Sequence, residues 1–278
     1  MSSVTVNDTL SDVVLPGGPN SSGWWLLDLN WDDSPEPKHQ VEQRPAGFDG
    51  GFEPLDLNVA SRVLELVGAH ESVDSVAAER AVRERLAAWV KRRLTVTMTD
   101  DDGSVRVVSG VMQGRLKATR LDEYATRFSV VIECADPLKY GPLVVQSGSS
   151  TPPGGGGLLF PIFDETGFAE FTELAGNNRV FVANEGSEAS FPEFTVPGPF
   201  TGFSFVSKGR AIEFSRVVPA GQSVRVDSAQ ESVWIGQSDV SAFLVRDEFF
   251  AIPPGGEWVQ FFASGAVPFT IRSRSAWL

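Results

Sequence analysis

The chain of 278 residues is longer than one hydrophobic core comfortably serves, and with 42% hydrophobic and 21% charged residues it is composed like an ordinary globular protein of two domains. A formal charge of −13 excludes a protein that grips DNA or RNA through basic side chains. The single cysteine, Cys134, excludes an internal disulfide and any CxxC metal or redox motif, and the two histidines, His39 and His70, are too few for a multi-histidine metal site.

In chain order, residues 1–22 are polar and rich in Gly, Pro and Ser, and read as a flexible arm. The start, MSSVTVNDTL, lacks the basic region and apolar run of a signal peptide. No segment reaches the roughly 18 apolar residues of a bilayer span, so a soluble product made in the cytoplasm, without membrane contact, is expected. Trp24–Leu29 is the first strand candidate. Residues 34–54 follow, too long and too rich in Pro and Gly for an ordinary connection. Phe48 and Phe52 give this loop apolar anchors and Arg44 a cation, which makes it a candidate strap over a neighbouring subunit.

Strand character resumes at residues 62–67, with Leu64 and Leu66 on one face. Val82, Leu86, Trp89 and Val90 then recur at helical spacing and predict one helix over about residues 73–92. Ser72, Asp74 and Ser75 supply groups for its start, and Glu79 with Arg83 an exposed i,i+4 pair. Lys91, Arg92 and Arg93 complement its carbonyl end and are a second candidate subunit contact. The clearest hairpin comes next: Leu94, Val96 and Met98 face one way, Thr95, Thr97 and Thr99 the other, and Asp102-Gly103 turns the chain. A further strand points Phe128, Val130, Ile132 and Cys134 the same way and stops at Pro137.

Composition then shifts to GPLVVQSGSSTPPGGGG, read as a linker over 144–158 between a first domain of 23–143 and a second of 159–278. Beyond it short strands recur every 8 to 12 residues or so between turn signals such as Asn184-Glu185-Gly186, Lys208-Gly209 and Pro219-Ala220-Gly221, as in an antiparallel β-sandwich. The 20 Phe against 2 Tyr call for dry aromatic packing.

Chemistry is hard to find. His39 in the loop and His70 after a strand read as solvated or packing residues, and Cys134 as core filler. Asp100, Asp101 and Asp102 lack the alternating ligand spacing of a calcium loop. Gly154 to Gly157 lacks the ending of a phosphate loop, and Ser223 lacks the second glycine of a nucleophile elbow. No catalytic residue, metal or cofactor is assigned. An alternative function remains, a carbohydrate-binding sandwich acting in adsorption to a host cell wall, with Trp24, Trp25, Trp31, Trp234 and Trp258 as candidate sugar-stacking rings. A wall-degrading hydrolase is a third.

The ordered set of phrases resembles the distal tail proteins of long-tailed bacteriophages, of the Dit-like minor tail protein type. In the first domain it comprises AGFDGGFEP, SRVLELVGA, LAAWVKRRL, the hairpin and ADPLKYG; in the second it comprises VANEGSEASFPEFTVPGP, PAGQSVRVD, PPGGEWVQF and the terminal SRSAWL. The resemblance implies a mainly β fold with one helix, a belt-type β domain followed by a galectin-like antiparallel β-sandwich. It implies a structural component of the virion tail tip, six copies in a ring joining the tail tube protein to the tip or hub protein, with the tape measure protein as a further neighbour. DNA would pass through such a ring without specific binding. Six copies at −13 each repel one another unless interface burial or partner cations offset the repulsion.

Overall fold

The computed structural model describes residues 2–8, 12–17, 23–38, 58–72, 75–150 and 178–278. It is mainly β, with one α-helix, and divides into two units: residues up to Pro142 together with Trp277–Leu278, and Leu143–Ala276.

The first unit is built on one antiparallel sheet with the strand order Asp12–Pro16, Ser3–Asn7, Arg93–Thr99, Val105–Arg120, Ala125–Cys134, Arg62–Glu71, Trp24–Leu29. Its strands obey the period of two: Val4, Val6, Val13, Leu15, Leu64, Leu66, Leu94, Val96, Phe128, Val130 and Ile132 are all buried in one core. Gly68 is required there, because a Cβ at that position would lie 2.5 Å from Phe128 Cζ. The Phe128 ring stands edge-on to Trp24 at 6.0 Å and to Trp89 at 6.1 Å.

The N-terminal segment corrects the flexible-arm expectation over the described residues. Ser3–Asn7 pairs with Asp12–Pro16 on one side and with Arg93–Thr99 on the other. Each strand offers only two buried apolar residues, a pattern too short to stand out among the surrounding Gly, Pro and Ser, yet sufficient once a sheet edge is available to receive it.

The helix runs over Val76–Ala88 and tightens into a 3-10 turn at Trp89–Lys91. Ser75 caps it, its side chain accepting from Ala78 N at 3.1 Å. Leu86 and Trp89 are fully buried and Val82 packs against the same core. Val90 departs from the expected stripe at 50% exposed, because the switch from 3.6 to about three residues per turn rotates it away from the core.

The second unit is a sandwich. One sheet has the order Val144–Ser149, Pro268–Ser273, Glu193–Pro197, Ser223–Asp227, Ser232–Ile235, Ser238–Asp239; the other has Arg179–Val182, Glu257–Ala263, Phe200–Ser207, Arg210–Val218, Leu244–Asp247. Short antiparallel strands recur between the expected turn residues. Leu244–Asp247 and Ser238–Asp239 went unread because they are short, mostly exposed edge strands without an alternating signal. Val144–Ser149 corrects the linker expectation, since it pairs with Pro268–Ser273 along its whole length; residues 151–158 lie outside the described residues.

Phenylalanine fills the space between the sheets. Phe194 stacks on Phe205 at 4.3 Å, and Phe205 meets Phe261 at 4.7 Å and Phe269 at 5.7 Å. The expected turn at Asn184 does more than turn: the buried Asn184 amide donates to Glu188 O at 2.8 Å and Ile252 O at 2.9 Å and accepts from Gly186 N and Ala276 N, so one side chain satisfies four backbone groups. Gly186 is obligatory beside it, because a Cβ would sit 1.7 Å from Ala276 O.

Deleting the Phe205 ring is expected to destabilise the protein by about 3–5 kcal/mol, whereas Val217→Ala at an exposed position should change stability by less than about 0.5 kcal/mol. Equilibrium denaturation of the two variants checks the contrast.

Candidate assembly surfaces

Of the residues singled out in the sequence, Arg44, Phe48 and Phe52 lie outside the described residues. Lys91, Arg92 and Arg93 sit where the 3-10 turn hands over to Arg93–Thr99. Lys91 and Arg93 are exposed, but Arg92 is engaged internally: its Nη1 lies 2.6 Å from Oδ2 of the fully buried Asp8. Arg85, one helical face away, donates to Asp12 O at 2.6 Å. Two cations at the helix's C-terminal end thus hold the two N-terminal strands, a role invisible in the sequence because the partners are more than 70 positions distant.

The first unit carries a buried polar cluster that a search for chemistry has to confront. His70 Nδ1 lies 2.8 Å from Glu79 Oε2, Ser72 Oγ donates to the same oxygen at 3.1 Å, and Ser72 Oγ is 3.4 Å from His70 Nδ1. A serine–histidine–carboxylate relay needs the hydroxyl on one ring nitrogen and the acid on the other. Here both meet Nδ1, Glu79 is fully buried, and the Trp24 ring packs against the imidazole at 4.5 Å. The cluster ties the first turn of the helix to the end of the Arg62–Glu71 strand. It also corrects the expectation of an exposed Glu79–Arg83 pair: Arg83 Nη1 is 3.9 Å from Glu79 Oε1, but the carboxylate points inward because His70 and Ser72 wait there.

Cys134 is buried beside Arg62, and its thiol is pushed up to about 11, chiefly by burial, with the Arg62 charge opposing. At neutral pH it remains a protonated core side chain. Among the described residues no group of three or more His, Cys, Asp and Glu is placed to hold a metal ion. No described helix is long and apolar enough to cross a membrane.

The candidate tryptophans divide between the two units, Trp24, Trp25 and Trp31 in the first and Trp234 and Trp258 in the second. Trp24 and Trp31 are buried and Trp25 is half-buried. Trp234 and Trp258 lie on opposite sheets of the sandwich. Trp258 alone is well exposed, at 45%, and its ring is already occupied by the Arg179 guanidinium at 4.6 Å and the Phe181 edge at 5.3 Å.

The feature that sequence reading missed is a basic strand edge. Val105–Arg120 pairs with Arg93–Thr99 up to Val111, and from Val111 onward with Ala125–Cys134 on its other side. Between Met112 and Arg120 one edge therefore meets no strand among the described residues. Arg115, Lys117 and Arg120 are exposed along it. The register shift between Gln113 and Lys117 inserts two extra residues against Val131 and Ser129, and Gly114, at φ +74°, makes the bend possible. A run of alternating small and charged residues reads as a solvated face, and only the pairing shows that it is an edge.

Two measurements test these assignments. Glu79→Ala should lower stability by about 1.5–3 kcal/mol, the worth of hydrogen bonds to a charged group, read by thermal or chemical unfolding. Native protein at pH 8 should leave Cys134 unreacted with a thiol reagent over the time in which the unfolded chain releases one equivalent; equal rates would contradict the assignment.

No protein-family model matches the chain, and no curated protein matches it in sequence. Solved structures do. The chain is similar to the Dit protein of phage SPP1, described as a paradigm of the hub adsorption apparatus in phages infecting Gram-positive bacteria, with a TM-score of 0.64 and 15% identity over 99% of both chains. It is similar to a chain of the phage P2 baseplate in its activated conformation with calcium, TM-score 0.57 and 11% identity over 99% of this chain and 98% of that one. A chain of the same baseplate with strontium gives 0.52 and 12%, over 98% of each. Such identities speak for architecture alone, and the architecture is matched from end to end: this chain has the fold of a phage Dit protein.

Proposed function

We propose that the protein is a structural component of a phage tail tip, a distal tail adaptor whose copies form a ring, six in number, between the tail tube and the tip or hub proteins. The observation that carries this reading is the fold likeness to the SPP1 Dit protein over nearly the whole of both chains, shared with a baseplate protein and independent of sequence similarity. A likeness confined to the sandwich would have pointed only to a common binding module; here the helix-bearing first unit is included.

The polar cluster at His70 is closed by packing, the thiol is protonated, and the described residues gather no metal-binding group. A net charge of −13 per copy suits a ring through which DNA passes without adhering. The protein's place is then the virion, with the tail tube protein on one face, the hub protein on the other and the tape measure protein as a further neighbour. Arg44, Phe48, Phe52, Lys91 and Arg93 remain proposed subunit contacts on this reading.

Electron micrographs of the purified protein should show rings with a central hole. Particles without a hole, together with turnover of a labelled cell-wall polymer, would overturn the reading.

A further inference from the structure

We infer that the open basic edge from Met112 to Arg120 is one half of a head-to-tail contact whose other half is the acidic stretch Leu27–Glu36 of a second copy of this chain. The inference rests on the ring reading above and names the surfaces that would close it.

The first observation is the edge itself. Backbone donors and acceptors along an unpaired strand invite pairing, and proteins that stay single guard such edges with bulges and cations. This edge has both, in the bulge at Gly114 and in Arg115 and Lys117. Neither Arg115 nor Lys117 makes a hydrogen bond or ion pair among the described residues, and Arg120 only gives Nε to the backbone oxygen of Asp122 at 2.8 Å. Such a guard discriminates by charge. It rejects a neutral or basic strand and admits an acidic one, because the cost of desolvating the cations is then met by opposite charges.

The second observation is where the acidic partner lies. Counting from the basic edge, the sheet runs through Ala125–Cys134 and Arg62–Glu71 to Trp24–Leu29, with Arg120, Thr126, His70 and Trp24 in register across it. Trp24–Leu29 ends the sheet on that side. Asp28 lies on this strand and Asp32, Asp33 and Glu36 in the turn and irregular segment after it, all exposed, with Arg62 within electrostatic reach of Asp33 and Lys139 of Asp32. None of the four is in an ion pair among the described residues. A four-stranded stretch thus presents exposed cations at one end and, at the other, exposed carboxylates on and just after its last strand.

The two complementary surfaces lie at opposite ends of the four-stranded stretch, and that placement bears on the symmetry. A two-fold contact would have to bring edge to acidic stretch and acidic stretch to edge at once across both ends. A heterologous contact places edge against acidic stretch, leaves both complements free at the two ends, and continues until the rotation closes. That is the geometry of a ring.

Charge reversal tests it. Arg115→Glu with Lys117→Glu should shift the full chain from ring to monomer in light scattering, and Asp28→Lys with Glu36→Lys should do the same; all four side chains are exposed, so thermal unfolding should stay close to that of the unaltered protein. Mixing the two variants in equal amounts should restore rings, because the intact acidic stretch of one meets the intact edge of the other and the two reversed surfaces also match. Recovery on mixing is not an outcome that two misfolded variants could give. If the unaltered chain assembles and both variants assemble equally well, this contact is wrong while the ring reading stands. A chain that stays monomeric without any substitution overturns both.

Discussion

Every backbone N–H and C=O along a strand has to be met by a strand, a side chain or water, and among the described residues of the first unit the end strands Asp12–Pro16 and Trp24–Leu29 and one side of Met112 to Arg120 lack a further strand. Ser3–Asn7 and Ala125–Cys134 are flanked on both sides. Where Arg62–Glu71 extends past its pairing with Trp24–Leu29, the Asn30 side chain substitutes for a strand: its Oδ1 accepts from Glu65 N at 2.6 Å and its Nδ2 donates to Val63 O at 3.2 Å. A fold that covers so small a gap with a dedicated asparagine gives one side of Met112 to Arg120 no strand among the described residues. Whatever the protein does by contact, that edge constrains it.

Each unit has an apolar core of its own. The sandwich fills its gap with phenylalanines, rigid side chains that bury a large area without a polar atom to satisfy, and the buried Asn184 amide is answered at every donor and acceptor. In the first unit the helix is tied at both ends, by Glu79 with His70 and Ser72 at its start and by Arg85 and Arg92 with the N-terminal strands at its finish. Ties at both ends hold the helix and the sheet in one geometry. On the proposed ring reading, a surface that matches an identical copy would depend on that fixity, since loose elements would have to be ordered again at each contact.

Much of this was legible in the residues. Alternation placed Leu94 and Val96, and Phe128 through Cys134, on the buried face; helical spacing found Leu86 and Trp89; turn residues spaced out the sandwich strands. What escaped has one cause, which is that its partners lie far away in the chain. Glu79 looks exposed until the strand end at His70 and Ser72 is folded against it, and Arg92 looks like a solvated helix terminus until Asp8 arrives from the other end of the unit. The strands at Ser3–Asn7 and Asp12–Pro16 carry too few apolar residues to be seen without the edge they join. Arg115 and Lys117 read as solvated charge because being an edge is a property of the pairing, which no local pattern records.

The central claim is that identical copies bind through unlike surfaces and close on themselves. Native mass spectrometry of the full chain over a range of concentrations addresses it most directly. With protomers of 30.0 kDa, a closed ring gives a single dominant species, near 180 kDa for six copies, that does not grow as concentration rises. A ladder of species without a terminus, a species stopping at two copies, or 30.0 kDa at every concentration would contradict it.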